Sequence, residues 1–202
     1  MSRYDRKDHY HRRAKREGFR SRAAYKLAEI QGAWRLLRPG QRVVDLGCWP
    51  GGWLQVASRA VGSTGRVVGV DIAAVDPLEE NENVVALCLD LAQPPAAAEI
   101  LRVLGGPADV LLSDAAPKLT GVRPTDRARE EALLEAIERL LPQLLRPGGD
   151  LLVKILECPE ARTVEGRIRG RFERARTLSP SASRRGTTER YLLARGHRGV
   201  PG

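Results

Sequence analysis

With 202 residues, 42% of them hydrophobic, and a formal net charge of +9, the chain fits a single globular domain with a real core. No apolar run approaches the length of a bilayer span, and the arginine-rich N-terminus lacks the apolar stretch of a secretory signal, so a cytoplasmic protein away from membranes is expected. Cys48, Cys88 and Cys158 are odd in number without C-x-x-C spacing, and His9, His11 and His197 all lie near the ends; neither a disulfide framework nor a metal site is indicated.

Residues 1–20 are too polar to form a core and read as a basic arm or helix that orders on binding. From Ser21, a suitable N-cap, the apolar residues Ala24, Leu27, Ala28, Ile30, Trp34 and Leu37 follow helical spacing until Arg38, Pro39 and Gly40 end the run. Short apolar strands then alternate with helical stretches: strands near 42–46, 66–71, 84–89, 109–113 and 149–156, helices near 52–61, 96–104, 125–145 and 160–171. Two further strands near 172–178 and 188–195 flank the turn-rich segment 179–186, a closing hairpin that makes one strand antiparallel. The expected architecture is α/β and Rossmann-like, a seven-stranded, mostly parallel sheet with one antiparallel strand. A basic arm over 1–20, a single domain over 21–197 and a tail over 198–202 complete the organisation.

The first strand runs into Asp45-Leu46-Gly47-Cys48-Trp49-Pro50-Gly51-Gly52-Trp53, a strand, glycine turn and helix start. Gly47, Gly51 and Gly52 lack Cβ atoms, so a ligand can approach the backbone and the turn can take φ > 0, while Pro50 stiffens it. A dinucleotide site uses the same elements, and a tight turn without any ligand is the plain alternative. Two details favour a sulfonium nucleoside. The spacing is not G-x-G-x-x-G, and Asp45 stands where a carboxylate repels a diphosphate but attracts the cationic amino end of S-adenosylmethionine.

Ligands of open α/β sheets sit outside the carboxyl ends of the strands, and four consecutive strands here finish in aspartate: Asp45, Asp71, Asp90 and Asp114. Asp71 suits both ribose hydroxyls and Asp90 the adenine amino group. One such aspartate is usually a cap or turn residue; four at one sheet edge point to a site. Ser113-Asp114-Ala115-Ala116-Pro117 lacks the Asp/Asn-Pro-Pro-aromatic equipment used against a flipped base, which favours a target such as a sugar hydroxyl.

Lys154 interrupts the apolar strand Leu151-Leu152-Val153-Lys154-Ile155-Leu156. At a solvated sheet edge it would be unremarkable, but central parallel strands are covered on both faces, which places it in a buried pocket. Lysine can lose a proton when desolvated or set beside another cation such as Lys26, and arginine cannot, so Lys154 is a candidate base. The charge is also unevenly placed. Residues 1–26 hold ten Lys/Arg against three Asp/Glu and residues 167–202 ten against two, while residues 27–166 hold fourteen against twenty. Two basic ends around an acidic centre are a footprint for a polyanion, with nucleic acid the natural partner.

With these residues in place the chain resembles the FtsJ-type ribosomal-RNA 2′-O-ribose methyltransferases, over roughly Arg12 to Leu193. The matching segments are 18–27, Asp45-Leu46-Gly47 with Pro50-Gly51-Gly52-Trp53, Ser113-Asp114-Ala115-Ala116-Pro117, Val153-Lys154 and Glu189-Arg190-Tyr191. The resemblance implies an S-adenosylmethionine-dependent methyltransferase fold and a catalytic set of Lys26, Asp114, Lys154 and Glu189. Cofactor contacts fall on Gly51, Trp53, Asp71, Asp90 and Asp114. It further implies S-adenosylhomocysteine as product and a uridine of 23S ribosomal RNA in the large subunit as target, with the protein acting as a monomer. Transfer RNA as substrate, a non-catalytic RNA-binding assembly factor and a nicotinamide-dependent dehydrogenase are the competing readings. Three departures from the family pattern stand out: Trp49 in place of a usual alanine, packing either on the cofactor or under the first helix; Lys118-Leu119-Thr120-Gly121 after the proline; and Glu157-Cys158-Pro159 after the lysine strand.

Overall fold

The computed structural model describes residues 5–78, 81–117, 120–183 and 188–199. Lys118 and Leu119, residues 184–186 of the closing turn, the first four residues of the arm and the last three of the tail lie outside the described residues. In chain order the elements are α1 (Asp5–Arg16), α2 (Ala24–Trp34), β1 (Arg42–Leu46), α3 (Gly52–Val61), β2 (Arg66–Asp71), β3 (Val84–Cys88), α4 (Ala96–Leu104), β4 (Ala108–Ser113), α5 (Arg123–Leu144), β5 (Leu145–Leu156), α6 (Pro159–Gly170), β6 (Phe172–Leu178) and β7 (Glu189–His197).

The seven strands form one sheet in the order β3-β2-β1-β4-β5-β7-β6. Neighbours from β3 to β5 are parallel, and β7 is antiparallel to both β5 and β6. The central strands are near-continuous apolar runs because helices cover both faces. On one face Val43, Val67, Val110, Leu112 and Leu152 pack against α2 and α3; on the other, Val44, Val68, Leu111, Leu151 and Val153 pack against α4, α5 and α6. Strand order reverses between β1 and β4, so the ligand crevice of such a sheet opens at the carboxyl ends of these two strands. No helix among the described residues is long and apolar enough to cross a membrane.

The first core helix is shorter than its apolar spacing predicts. It starts at Ala24, with no side-chain cap from Ala23, while the Ser21 hydroxyl lies against Gly52, where a Cβ would come within 2.3 Å of Oγ. It stops at Trp34, where Arg35 turns left-handed at φ 47°. The Gln31 amide then clamps Leu37 through both of its main-chain polar groups, at 2.7 Å each, which buries Leu36 and Leu37 outside the helix.

The basic arm also differs from a solvated segment. Ala14 is buried, Phe19 packs edge-on to Tyr25 with ring centroids 5.5 Å apart, and the Arg20 N–H and Gly18 carbonyl bond the two ends of the Gln55 amide. Alanine and one phenylalanine among many arginines give almost no periodic signal; the segment after α1 is held by Phe19 against Tyr25 of α2 and by Gly18 and Arg20 on Gln55 of α3. At the other junction, β5 begins at Leu145 directly after α5, with a register shift between Ala108 and Val110 absorbing the Arg146-Pro147-Gly148-Gly149 stretch.

Candidate active site

The glycine turn is fixed by protein atoms on every side. A Cβ on Gly47, which sits at φ +79°, would lie 2.4 Å from Ala115 Cβ, and the Gly52 position is closed by Ser21. The absence of Cβ atoms at Gly47 and Gly52 is thus also what lets Ala115 and Ser21 pack against the turn. What the turn offers a ligand is the N-terminus of α3, whose Gly51 cap supplies no side-chain acceptor and whose first N–H groups have no intrahelical partner. Trp53 belongs to this first turn, but its side chain is buried, with its indole N–H donated to the Ala23 carbonyl at 2.9 Å. Its ring braces Tyr191 at 5.8 Å between centroids.

Asp45, the penultimate residue of β1, lies inside the protein, 1% exposed, with neither carboxylate oxygen hydrogen-bonded. Burial pushes this carboxyl well above the ordinary carboxylate range, reinforced by the charges of Asp114 and Asp71. Asp71 accepts from the Trp49 N–H and the Ala73 N–H, each at 2.9 Å. Asp90 is exposed and caps its own turn, accepting from the Ala92 N–H at 2.9 Å, so its carboxylate has the ordinary arrangement of a turn aspartate. The thiol of Cys48 beneath the loop is pushed up by burial and by Asp45 and Asp71.

On the other side of the crevice, four elements bring one cluster together. Lys26 of α2 lies 2.8 Å from Glu189 at the start of β7 and 3.7 Å from Asp114. Lys154 of β5 lies 3.1 Å from the same Asp114 oxygen and donates to its carbonyl. Lys154 faces Tyr191 across the β5–β7 ladder, and period-2 alternation puts Glu189 and Tyr191 on one face of their strand. Burial pushes the Glu189 carboxyl up, but its pairing with Lys26, helped by the Ser183 hydroxyl at 2.8 Å and the charge of Lys154, holds it below the usual range.

Tyr191 is the centre of this cluster and was not among the expected site residues. Its buried hydroxyl accepts from Lys26 at 3.0 Å and donates to Asp114 at 2.6 Å, and burial together with Asp114 and Glu189 keeps it protonated far above the ordinary phenol range. A tyrosine in a strand reads as core. The signal that identifies it is its position two residues after Glu189, opposite Lys154. Trp49 is 59% exposed, which rules out packing under the first helix. Cys158 accepts from the Ala161 N–H as the cap of α6.

A separate polar cavity of about 240 Å³ lies at the amino ends of the strands, lined by Arg38, Asp109, Arg146, Asp150 and Arg195 among others. Its charges largely satisfy one another, as in the 2.7 Å Arg146–Asp109 pair, and it lies at the opposite sheet edge from the cluster.

A doubly wound sheet in this strand order, with a glycine turn at the switch point and carboxylates along the carboxyl edge, defines the class of Rossmann-like nucleotide-binding folds. The family model for FtsJ-like methyltransferases matches residues 19–197, and the chain belongs to that family. It is 42% identical over 193 residues to the ribosomal RNA large subunit methyltransferase E of Pseudomonas aeruginosa, covering 95% of this chain and 92% of the relative. The protein of the same name from Natronomonas pharaonis is 43% identical over 196 residues, 97% of this chain and 76% of the relative. Among solved structures, a Plasmodium falciparum protein assigned as a ribosomal RNA methyltransferase superposes with a TM-score of 0.78 at 26% identity, over 90% of this chain and 100% of that one. Aeropyrum pernix fibrillarin, solved with natively bound S-adenosyl-L-methionine, shares the fold at a TM-score of 0.61 and 19% identity, over 87% of this chain and 74% of that one.

Proposed function

We propose that this protein transfers a methyl group from S-adenosylmethionine to a ribose 2′-hydroxyl of RNA, a uridine of 23S ribosomal RNA in the large subunit, leaving S-adenosylhomocysteine. The relatives named as large-subunit methyltransferases support the substrate, and the same reading makes the protein a cytoplasmic monomer. The observation that carries it is the Lys26–Asp114–Lys154–Glu189 cluster, joined through Tyr191 and opening beside the switch point.

The pocket fits the cofactor. Asp45 holds a buried carboxylate with no partner, suited to the cationic amino end, and the uncapped start of α3 offers N–H donors over Gly52 and Trp53. Gly47, Pro50 and Gly51 set the turn, and Asp71 and Asp90 suit ribose and base. When bound, S-adenosylmethionine supplies an electrophilic methyl group. Lys154 hydrogen-bonds the attacking hydroxyl and accepts its proton, Asp114 holds Lys154 in place, and Lys26 with Glu189 positions the substrate ribose. Much of the acceleration comes from this alignment.

The deciding experiment is incubation with labelled S-adenosylmethionine and either ribosomal particles or transfer RNA, followed by mapping of 2′-O-methyl positions. Label on large-subunit ribose supports the proposal. Label confined to transfer RNA moves the substrate, and label only on bases or protein overturns the ribose assignment.

A further inference from the structure

Trp49 and Ile72 are 59% and 76% exposed, and folding explains neither. Both adjoin one carboxylate: the Trp49 N–H donates to Asp71 Oδ2 at 2.9 Å, and Ile72 follows Asp71 in the chain. The backbone beneath Trp49 is held rigidly, since Cys48 is buried and the Gly51 N–H closes back on the Cys48 carbonyl at 2.7 Å. Beyond Ile72, the Arg20 guanidinium reaches across Gly51 to the Asp76 carbonyl at 2.6 Å and to that of Pro77, tethering the segment. Two large apolar side chains thus stand exposed on tethered backbone next to Asp71, where contact with water is unfavourable without an occupant.

We propose that Trp49 and Ile72 are the two walls of a slot for the nucleobase of the bound nucleoside cofactor, with the indole stacking on the base. This rests on the S-adenosylmethionine reading above and adds to it a binding residue at a position where the resembled family usually carries alanine. Strand order identifies the occupant. Asp71 ends β2, whereas Lys154 and Glu189 stand on β5 and β7, beyond β1 and β4. The apolar rim therefore belongs to the adenosine end of the pocket, and the ribose of the RNA is handled at the other. Stacking of two π faces is worth about tenfold in affinity at most.

The test is calorimetry of S-adenosylhomocysteine and of adenosine with wild type, Trp49→Ala, Trp49→Phe and Ile72→Ser, alongside KM for RNA. Trp49→Ala is expected to weaken both ligands by about tenfold, Trp49→Phe by no more than about twofold, and Ile72→Ser to fall between, with KM for RNA unchanged in all. Quenching of tryptophan emission by adenosine, present in wild type and lost in Trp49→Phe, supports the stack even if Trp49→Ala folds poorly. Equal affinity in Trp49→Ala overturns the slot while leaving the cofactor reading intact. A raised KM for RNA with unchanged cofactor affinity overturns it in favour of an RNA-base platform. Failure of wild type to bind S-adenosylhomocysteine overturns both readings.

Discussion

Asp45 works against the stability of the ligand-free protein. Its carboxylate is buried with neither oxygen paired, and its folded value is raised well above 3.8. An acid raised on folding stabilises the fold only below its unfolded value, so this contribution is lost as pH climbs through 3.8 toward the folded value and is missing at neutral pH. Asp45→Asn is therefore expected to raise the melting temperature of the ligand-free protein at pH 7. Each kcal/mol gained corresponds to roughly 2–4 °C for a chain of this size, with the advantage shrinking toward pH 4. The same variant should bind S-adenosylmethionine about tenfold or more weakly, because a charge-assisted pair is lost. Thermal melts at two pH values and calorimetry check both halves. Lys154 makes the opposite kind of prediction. Its Nζ is held by Asp114 and is not among the cofactor contacts, so Lys154→Ala should lower kcat by about 10²–10⁴-fold with cofactor affinity unchanged. Near-normal turnover in that variant would remove Lys154 as the base. At this scale the strand-end aspartates and Lys154 are legible in the sequence because charge in an apolar run is conspicuous. Tyr191 is not, because its role depends on the β5–β7 register, which pairs it with Lys154.

At the scale of elements, the site depends on α2 and the segment before β7 being locked to each other. Glu29 of α2 accepts from the Ser181 N–H at 2.8 Å and from its hydroxyl at 2.7 Å, and Arg22 reaches the Ala182 carbonyl at 3.3 Å. Lys26 and Glu189 meet because this clasp and Ser183 set their elements together. None of it is visible from local spacing, since residues about 150 apart in the chain carry no mutual pattern. The strands were readable because their apolar runs end in aspartate or glycine, whereas the first core helix ran past its true end because Leu36 and Leu37 are buried outside it. The far end of β7 adds a test. His197 is 2% exposed beside Phe172, with ring centroids 5.4 Å apart, and burial with nearby Arg171 holds it below 6.5. A histidine depressed on folding leaves its full contribution in place above 6.5, and that contribution is lost as pH falls through the folded value. Wild type should thus lose melting temperature between pH 7 and pH 5, and His197→Gln, which cannot titrate, should show a flatter profile. Identical profiles would place the acid sensitivity elsewhere.

Across the whole molecule, the uneven charge read from the sequence acquires a geometry. The N-terminal basic end reaches the cluster through Lys26, which pairs with Glu189, while Arg22 bonds the Ala182 carbonyl in the segment before β7. On the proposed reading, Asp45, Asp71 and Asp114 of the acidic centre stand at the cofactor end, where a cationic ligand is favoured and RNA phosphates are repelled, so two ligands of opposite charge would be drawn to two ends of one crevice. If the basic ends hold phosphates, each contact releases condensed counterions, and RNA affinity must fall linearly in log–log form with salt, by about 0.7 in slope per contact for single strands. Lys15 and Arg16, exposed at the end of α1, are suitable probes. Replacing both with Gln should reduce the slope by about 1.4 while kcat and cofactor affinity stay unchanged, since neither residue touches the catalytic cluster. The measurement is KM for RNA across a salt series in wild type and the double variant. Parallel salt dependences would mean that α1 does not contact the phosphate backbone, leaving Arg22 and the C-terminal arginines as the polyanion surface.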